Sequence, residues 1–236
     1  MSETPRLGLT YLESGQAQKH VTVNEALARI DAFGAPAAVS RSFATPPIDA
    51  PEGALHVVGP QPTGGWTGAE GLLAAMLNGG WALREPELGR RLWIVDEGRE
   101  IVFDGLEWRE GSAVAACGAA IGMRVIAIDH SVAPGVLSET IPFIPDKAVV
   151  IGVTGRVLEP LEGAATWRLG APGAADRYGS GIGAEAGAHV VGVTGEPMAY
   201  YGASSLVLEA EGGAAFSGGR VRLCAHLFEI QPPRAT

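Results

Sequence analysis

Three acidic pairs carry the residue types that cleavage of a glycosidic bond needs: Asp96/Glu97, Glu159/Glu162 and Glu209/Glu211. One carboxyl must protonate the leaving oxygen while a second acts as nucleophile or base, at a separation that sequence spacing does not reveal. Glu159-Pro160-Leu161-Glu162-Gly163 reads as a turn, and Glu209-Ala210-Glu211 places both acids on one face of a strand end. Solvated polar faces explain both more simply, so no catalytic residue is assigned. The five histidines, His20, His56, His130, His189 and His226, are scattered without an H-x-x-x-H, and Cys117 and Cys224 make no C-x-x-C. Neither spacing points to zinc, and the expectation is no metal and no cofactor. Gly179-Ser180-Gly181-Ile182-Gly183 has no strand pattern before it and no helical pattern after it, so it reads as a mobile loop rather than a phosphate cradle. Asp176-Arg177-Tyr178 and Tyr200-Tyr201 are candidate glycan-contact residues, since tyrosines in exposed loops suit saccharide or protein recognition. They fit equally well as caps on a core.

The elements that would position these residues begin with a helix. Thr22-Val23-Asn24-Glu25 fits a capping box, and Ala26, Leu27, Ile30 and Phe33 follow at helical spacing. Gly34 and Pro36 supply a stop, and Glu25 precedes Arg29 by four residues, the favourable order for a surface pair. A helix of about twelve residues is marginal alone, so its apolar stripe must dock on another domain or subunit. The preceding residues, Leu7 to Leu12 and Gln16 to His20, read as an extended arm. Three prolines between Thr45 and Pro51 read as a semi-rigid spacer and a domain boundary.

From Leu55 to Gly111 the pattern is strand-rich. Leu55–Val58, Arg91–Val95 and Glu100–Phe103 are short β runs, and Asp104-Gly105 is a hairpin turn signal. Leu72 to Leu77 reads as a short helix ended by Asn78-Gly79-Gly80. Trp66, Trp81, Trp93 and Trp108 all fall here, either packing a small core or offering a platform for a sugar ring. Beyond an Ala/Gly-rich joint, β runs begin at Arg124 and recur near 138–143, 148–157, 166–169, 188–193, 205–210 and 220–230. Strands at this spacing with no helices between them argue for an antiparallel sandwich or jelly roll. Val150-Ile151-Gly152-Val153-Thr154-Gly155 nearly repeats as Val190-Val191-Gly192-Val193-Thr194-Gly195, which suggests two equivalent strands of that sandwich.

The fold class is therefore mainly β, with an N-terminal arm and short helix, a small Trp-rich α+β or β module, and a C-terminal antiparallel β-sandwich of jelly-roll type. The expected domains are 1–44, 45–112, a joint at 113–123, and 124–236. Among 236 residues, 47% are hydrophobic, enough for a core, and 34 glycines with 16 prolines stay below the ~25–30% that marks low complexity. A net charge of −9 argues against nucleic acid, whose phosphates need a basic stripe, and against docking on an anionic membrane. Two cysteines are too few for a disulfide scaffold, no basic n-region precedes an apolar h-region, and no run approaches ~18 apolar residues. The expectation is a protein made in the cytoplasm without signal peptide or membrane insertion.

Pro5-Arg6-Leu7-Gly8-Leu9-Thr10-Tyr11-Leu12 and Gly15-Gln16-Ala17-Gln18-Lys19-His20-Val21-Thr22-Val23-Asn24-Glu25-Ala26-Leu27 resemble the opening motif of domain-of-unknown-function family 2793, found in tailed phages and alphaproteobacterial gene transfer agents. Trp66-Thr67-Gly68, Gly80-Trp81, Trp93 to Gly98 and Val102 to Gly105 continue the resemblance. The stretches around Gly152-Val153-Thr154 and Gly218 to Arg222 resemble the end module of its short members, including a gene transfer agent head-spike protein. The resemblance implies a non-enzymatic head spike or fibre on the particle surface, adhering to the capsular polysaccharide of a host or recipient cell. It implies capsid or other spike proteins as partners and a homo-oligomer, a trimer being favoured and a fivefold vertex favouring a pentamer. The residues expected to anchor it are Leu7, Leu9, Tyr11, Gln16, Gln18, Lys19, His20, Asn24, Leu27 and Ile30. A capsule depolymerase and a pure assembly adaptor are the alternatives.

Overall fold

A chain rich in short β runs with glycine between them must bury its sheets in small layers, and it does so twice. The computed structural model describes residues 3–12 and 19–235. It divides into a unit of Met1–Ala120 with Gln231–Thr236 and a unit of Ile121–Ile230.

The first unit contains α1 (Lys19–Phe33), β1 (Ala37–Ala38), β2 (Leu55–Val57), β3 (Leu73–Leu77), β4 (Gly80–Arg84), β5 (Arg91–Ile94), β6 (Arg99–Phe103), β7 (Trp108–Glu110) and β8 (Ala113–Val114). One sheet runs β1-β5-β6-β7 and another β2-β3-β4. Ala32 and Phe33 of the helix join Leu55, Val57, Leu73, Leu92, Ile94 and Ile101 in one buried cluster. The helix stops where expected: a Cβ on Gly34 would lie 2.4 Å from the Ile30 carbonyl oxygen, and the Arg90 guanidinium donates to the carbonyls of Phe33 and Ala35.

Several expectations are corrected in this unit. The helix begins at Lys19, so Thr22 and Glu25 lie inside it rather than at its cap. Ala26 and Ile30 of the expected stripe are exposed, and the buried face is Ala28, Asp31, Ala32 and Phe33. Leu73–Leu77 is a strand, because a run covered on both faces has no period to read. Asn78-Gly79 is its hairpin turn to β4, with φ of 54° and 75° at the two central residues, the left-handed pair that a type I′ turn requires. The β6–β7 hairpin falls where Asp104-Gly105 signalled it, as a wider loop in which Asp104 Oδ1 accepts from the amides of Leu106 and Glu107, both at 3.0 Å.

The expected boundary at residue 45 is also absent. The Val39 amide donates to the Leu55 carbonyl at 2.8 Å and the Thr63 amide to the Ala44 carbonyl at 2.8 Å, which ties the segment before the prolines to the segment after them. The last residues, expected in the sandwich, group with the first unit, where the Arg234 amide donates to the Cys117 carbonyl at 2.9 Å and its guanidinium pairs with Asp104.

The second unit contains β9 (Ala120–Ser131), β10 (Leu137–Glu139), β11 (Val149–Glu162), β12 (Thr166–Ala171), β13 (Ala174–Gly183), β14 (His189–Ala199), β15 (Val207–Ala210) and β16 (Gly218–Gln231). One sheet runs β14-β11-β16-β9 and the other β10-β15-β12-β13; β14-β11-β16 and β10-β15-β12-β13 are paired antiparallel. Their facing side chains, Val150, Val153, Leu223 and Leu227 from one sheet and Trp167, Leu169 and Leu208 from the other, make the larger core. The two near-repeats are neighbours: Gly152 pairs with Val193, Val153 with Gly192 and Thr154 with Val191. The first shared glycine of each serves close approach: a Cβ on Gly192 would lie 2.0 Å from the Tyr178 carbonyl oxygen, and one on Gly152 2.7 Å from the Gly192 carbonyl oxygen. Gly192→Ala is therefore expected to lower stability by about 1–3 kcal/mol or more. Gly195→Ala, where a Cβ meets open space, should stay within about 0.5 kcal/mol. Denaturant unfolding of the two variants checks the contrast.

Candidate functional site

The expected anchor residues are organised by one buried carboxylate. Asp31, 1% exposed on the inner face of α1, accepts at Oδ1 from the Thr4 hydroxyl at 2.9 Å and the Leu7 amide at 2.5 Å, and at Oδ2 from the Arg6 amide at 3.1 Å. The Leu9 amide donates in turn to Thr4 Oγ1 at 2.9 Å, and Glu3 bridges Thr10. The expected extended arm is thus a closed turn over residues 3–10, with Gly8 at φ 62°. Buried carboxylates need several donors, and backbone amides supply them without side-chain entropy. Asn24 fixes the next stretch by exchanging both of its amide groups with the Leu12 backbone, at 2.8 and 3.0 Å.

This arrangement sorts the candidates. Tyr11, His20 and Asn24 meet in a shallow groove of about 420 Å³ that also involves Asn78. Leu7 and Ile30 are exposed, Lys19 is exposed, and Leu9 and Leu27 are half-buried. Gln16 and Gln18 lie outside the described residues. Val23, 39% exposed, lies seven residues before Ile30 on the same side of the helix, and Val21, 59% exposed, lies on the other side beside the groove.

The expected glycan-contact residues separate. Tyr178 and Tyr200 are buried and share a hydrogen bond of 2.7 Å between their hydroxyls, so they cap the sandwich core and are not surface contacts. Burial first, then the bond to Tyr200, pushes the Tyr178 phenol well above its ordinary range. Asp176 is exposed, Arg177 half-buried and Tyr201 83% exposed. The segment expected to be a loop around them is the β12–β13 hairpin, and Gly179 to Gly183 lie within β13. Four of the six candidate acids are engaged in structure. Glu159 pairs with Arg220 at 2.8 Å, Glu209 pairs with Arg168, Glu211 accepts from the Gly181 amide at 2.8 Å, and Glu97 pairs with Arg41 at 2.7 Å.

Two features of the first unit had no counterpart in the sequence reading. Arg41 and Arg99 interleave with Glu97 and Glu110 across β6 and β7, a network no local spacing announces. A cleft of about 790 Å³ opens beside Trp108 and Phe103, with Glu70, Glu85 and Glu107 on its wall. Trp108 is held by its indole N–H donating to the Gly71 carbonyl at 2.8 Å. Among the described residues, no group of three or more His, Cys, Asp or Glu could hold a metal ion, and no helix is long and apolar enough to cross a membrane.

Comparison with known proteins falls on this same unit. Residues 23–109 match the model of a family described as a protein of unknown function, DUF2793. Residues 23–109 are thus similar to that family. The match covers α1 from Val23 through β6 and the start of β7, and so includes the helix, both small sheets and the cleft. A solved chain of the cyanophage Pam1 capsid asymmetric unit is similar at 19% identity, over 50% of this chain and 93% of that one, with a TM-score of 0.33, a superposition too loose to define a shared fold. No curated protein matches.

Within the matched region the tryptophans mostly pack. Trp66 is fully buried, its ring 5.0 Å from Trp81 in a T-shaped contact, and His56 sits edge-on to Trp81 and Phe43 at 5.6 Å from each. Trp93 is the exception, half exposed on β5. Burial of His56 lowers its pKa, outweighing the pull of Asp96. The unfolded chain therefore takes up this proton first as pH falls, so stability is full above the ordinary histidine value of about 6.5 and declines below it. His56→Phe should flatten that acid decline, measured through the fluorescence of the region's tryptophans during urea unfolding at a series of pH values.

Proposed function

We propose that this protein is a structural, non-enzymatic component of a phage-like or gene transfer agent particle: a head spike or fibre on the particle surface that adheres to cell-surface capsular polysaccharide. The observation that carries the reading is the DUF2793 match over residues 23–109, because the family that the N-terminal motif resembles occurs in tailed phages and gene transfer agents. The geometry adds a docking element. Val23 and Ile30, seven residues apart on one side of the helix, and Leu7 on the turn that Asp31 holds expose apolar side chains, which suit a capsid or spike partner. The second unit supplies the projecting part, with Asp176, Arg177 and Tyr201 as the remaining glycan-contact candidates. The hydrolytic alternative is weakened by the ion pairs that already hold Glu97, Glu159 and Glu209.

Removal of residues 1–44 would not test anchoring cleanly, since Ala32, Phe33 and Ala38 belong to the core of the first unit. Surface substitutions do. Ile30→Glu and Leu7→Glu together should leave the fold intact and abolish incorporation into particles, read by immunoblot of purified particles. Tyr201→Ala should leave incorporation unchanged and reduce attachment of those particles to encapsulated cells. Normal incorporation of the Ile30/Leu7 variant overturns the anchor, and undiminished attachment of the Tyr201 variant overturns that contact.

A further inference from the structure

The sheet β14-β11-β16-β9 has two faces, and only one lies on the core. Away from the core, β9 presents Met123 and Val125, 71% and 56% exposed, and β14 presents Val191 and Val193, 68% and 77% exposed. Between these edges the surface is continuous. Thr154 of β11 pairs in register with both Val191 and Cys224, and its hydroxyl lies 3.0 Å from His226 Nε2 on β16. An antiparallel strand facing water normally alternates to polar side chains; here the two edge strands present apolar ones, while the middle strands present Thr154, Arg156, Arg222, Cys224 and His226. Four strands about 4.8 Å apart and about ten residues long make a face of roughly 600 Å². That is on the scale of the ~800 Å² each partner gives to a stable interface, and its apolar part lies toward one end of the strands, away from the Asp129–Arg222 ion pair.

Polarity on this face is graded along the strands. At one end Arg222 makes a two-point ion pair with Asp129, at 2.6 and 2.7 Å, and Arg220 pairs with Glu159 at 2.8 Å. Two of the arginines there are matched within one copy, and Arg156 beside them donates to the Gly187 carbonyl at 3.0 Å. Toward the other end lie Val125, Met123 and Ile121. A second copy related by an axis parallel to the strands meets this gradient row for row, apolar against apolar, and leaves the ion pairs at one rim. An axis in the plane of the sheet but across the strands would lay the Asp129–Arg222 row over the apolar end. On a chain of net charge −9, a face whose acids are already paired is also where copies repel each other least.

We propose that this outer face is the contact through which copies of the chain associate into a cyclic homo-oligomer whose axis runs along the strands. The inference rests on the oligomeric part of the spike reading and names its surface. Light scattering after size exclusion should give the full chain a mass of two or more copies. Val193→Glu and Val125→Glu, both pointing into solvent in a single copy, should each give one copy with unchanged far-UV circular dichroism. Cys224, half-buried in the same face, should react slowly with a maleimide in a Cys117→Ser background, and faster on dilution or in either variant. A monomeric wild-type chain, oligomers that survive both substitutions, or Cys224 labelling indifferent to dilution would each overturn the proposal. A monomer that still binds capsular polysaccharide removes this interface alone, whereas an oligomer that ignores polysaccharide removes the adhesive role and leaves the interface standing.

Discussion

A backbone contact at Gly192 governs the larger unit. With no side chain there, β14 comes close enough to β13 for its glycine to lie against the Tyr178 carbonyl, in space that a Cβ would occupy at 2.0 Å. Strand alternation then fixes what surrounds it. Gly192 points inward, so Val191 and Val193 must point out, and their exposure follows from the same constraint that closes the core. Drawing β13 against β14 also brings Tyr178 within hydrogen-bonding distance of Tyr200, which satisfies two buried hydroxyls with one bond.

The smaller unit solves a different problem. Its sheets are short, and it gains buried area by stacking aromatic rings around His56 and by recruiting the end of α1 into the core. Asp31 extends that economy to the N-terminal turn. Three donors converge on one carboxylate, so a segment with almost no apolar burial of its own is still held against the helix. What it leaves exposed is the apolar side of the turn and helix, which suits attachment elsewhere.

Much of this was legible in the sequence, and the failures have physical causes. The mainly β class and most strands of the second unit could be read from spacing, because turns rich in Gly and Pro punctuate them. β13 was missed because Gly179, Gly181 and Gly183 imitate a loop while sitting in a strand. Leu73–Leu77 passed for a helix because burial on both faces erases alternation, although Asn78-Gly79 already carried the hairpin signal. The helical stripe was misplaced by weighing Ile30 over Asp31. A carboxylate on the inner face is invisible to hydrophobic periodicity, and its donors come from more than twenty residues away. Tyr178 and Tyr200 looked like surface residues for a related reason: only the fold brings their hydroxyls together. The cleft beside Trp108 and the Arg41–Glu97–Arg99–Glu110 network depend wholly on tertiary placement, and no local pattern marks them.

The chain as described has two β-rich units; the proposed docking residues lie in one and the proposed self-contact in the other, and Glu97, Glu159 and Glu209 are held in ion pairs. The most direct test is to incubate the purified protein with capsular polysaccharide from the recipient cell, following complex formation and polymer length together by light scattering. The account predicts binding with the polymer intact. Shortening of the polymer would contradict it and return attention to Glu159, Glu162, Glu209 and Glu211 as catalytic acids.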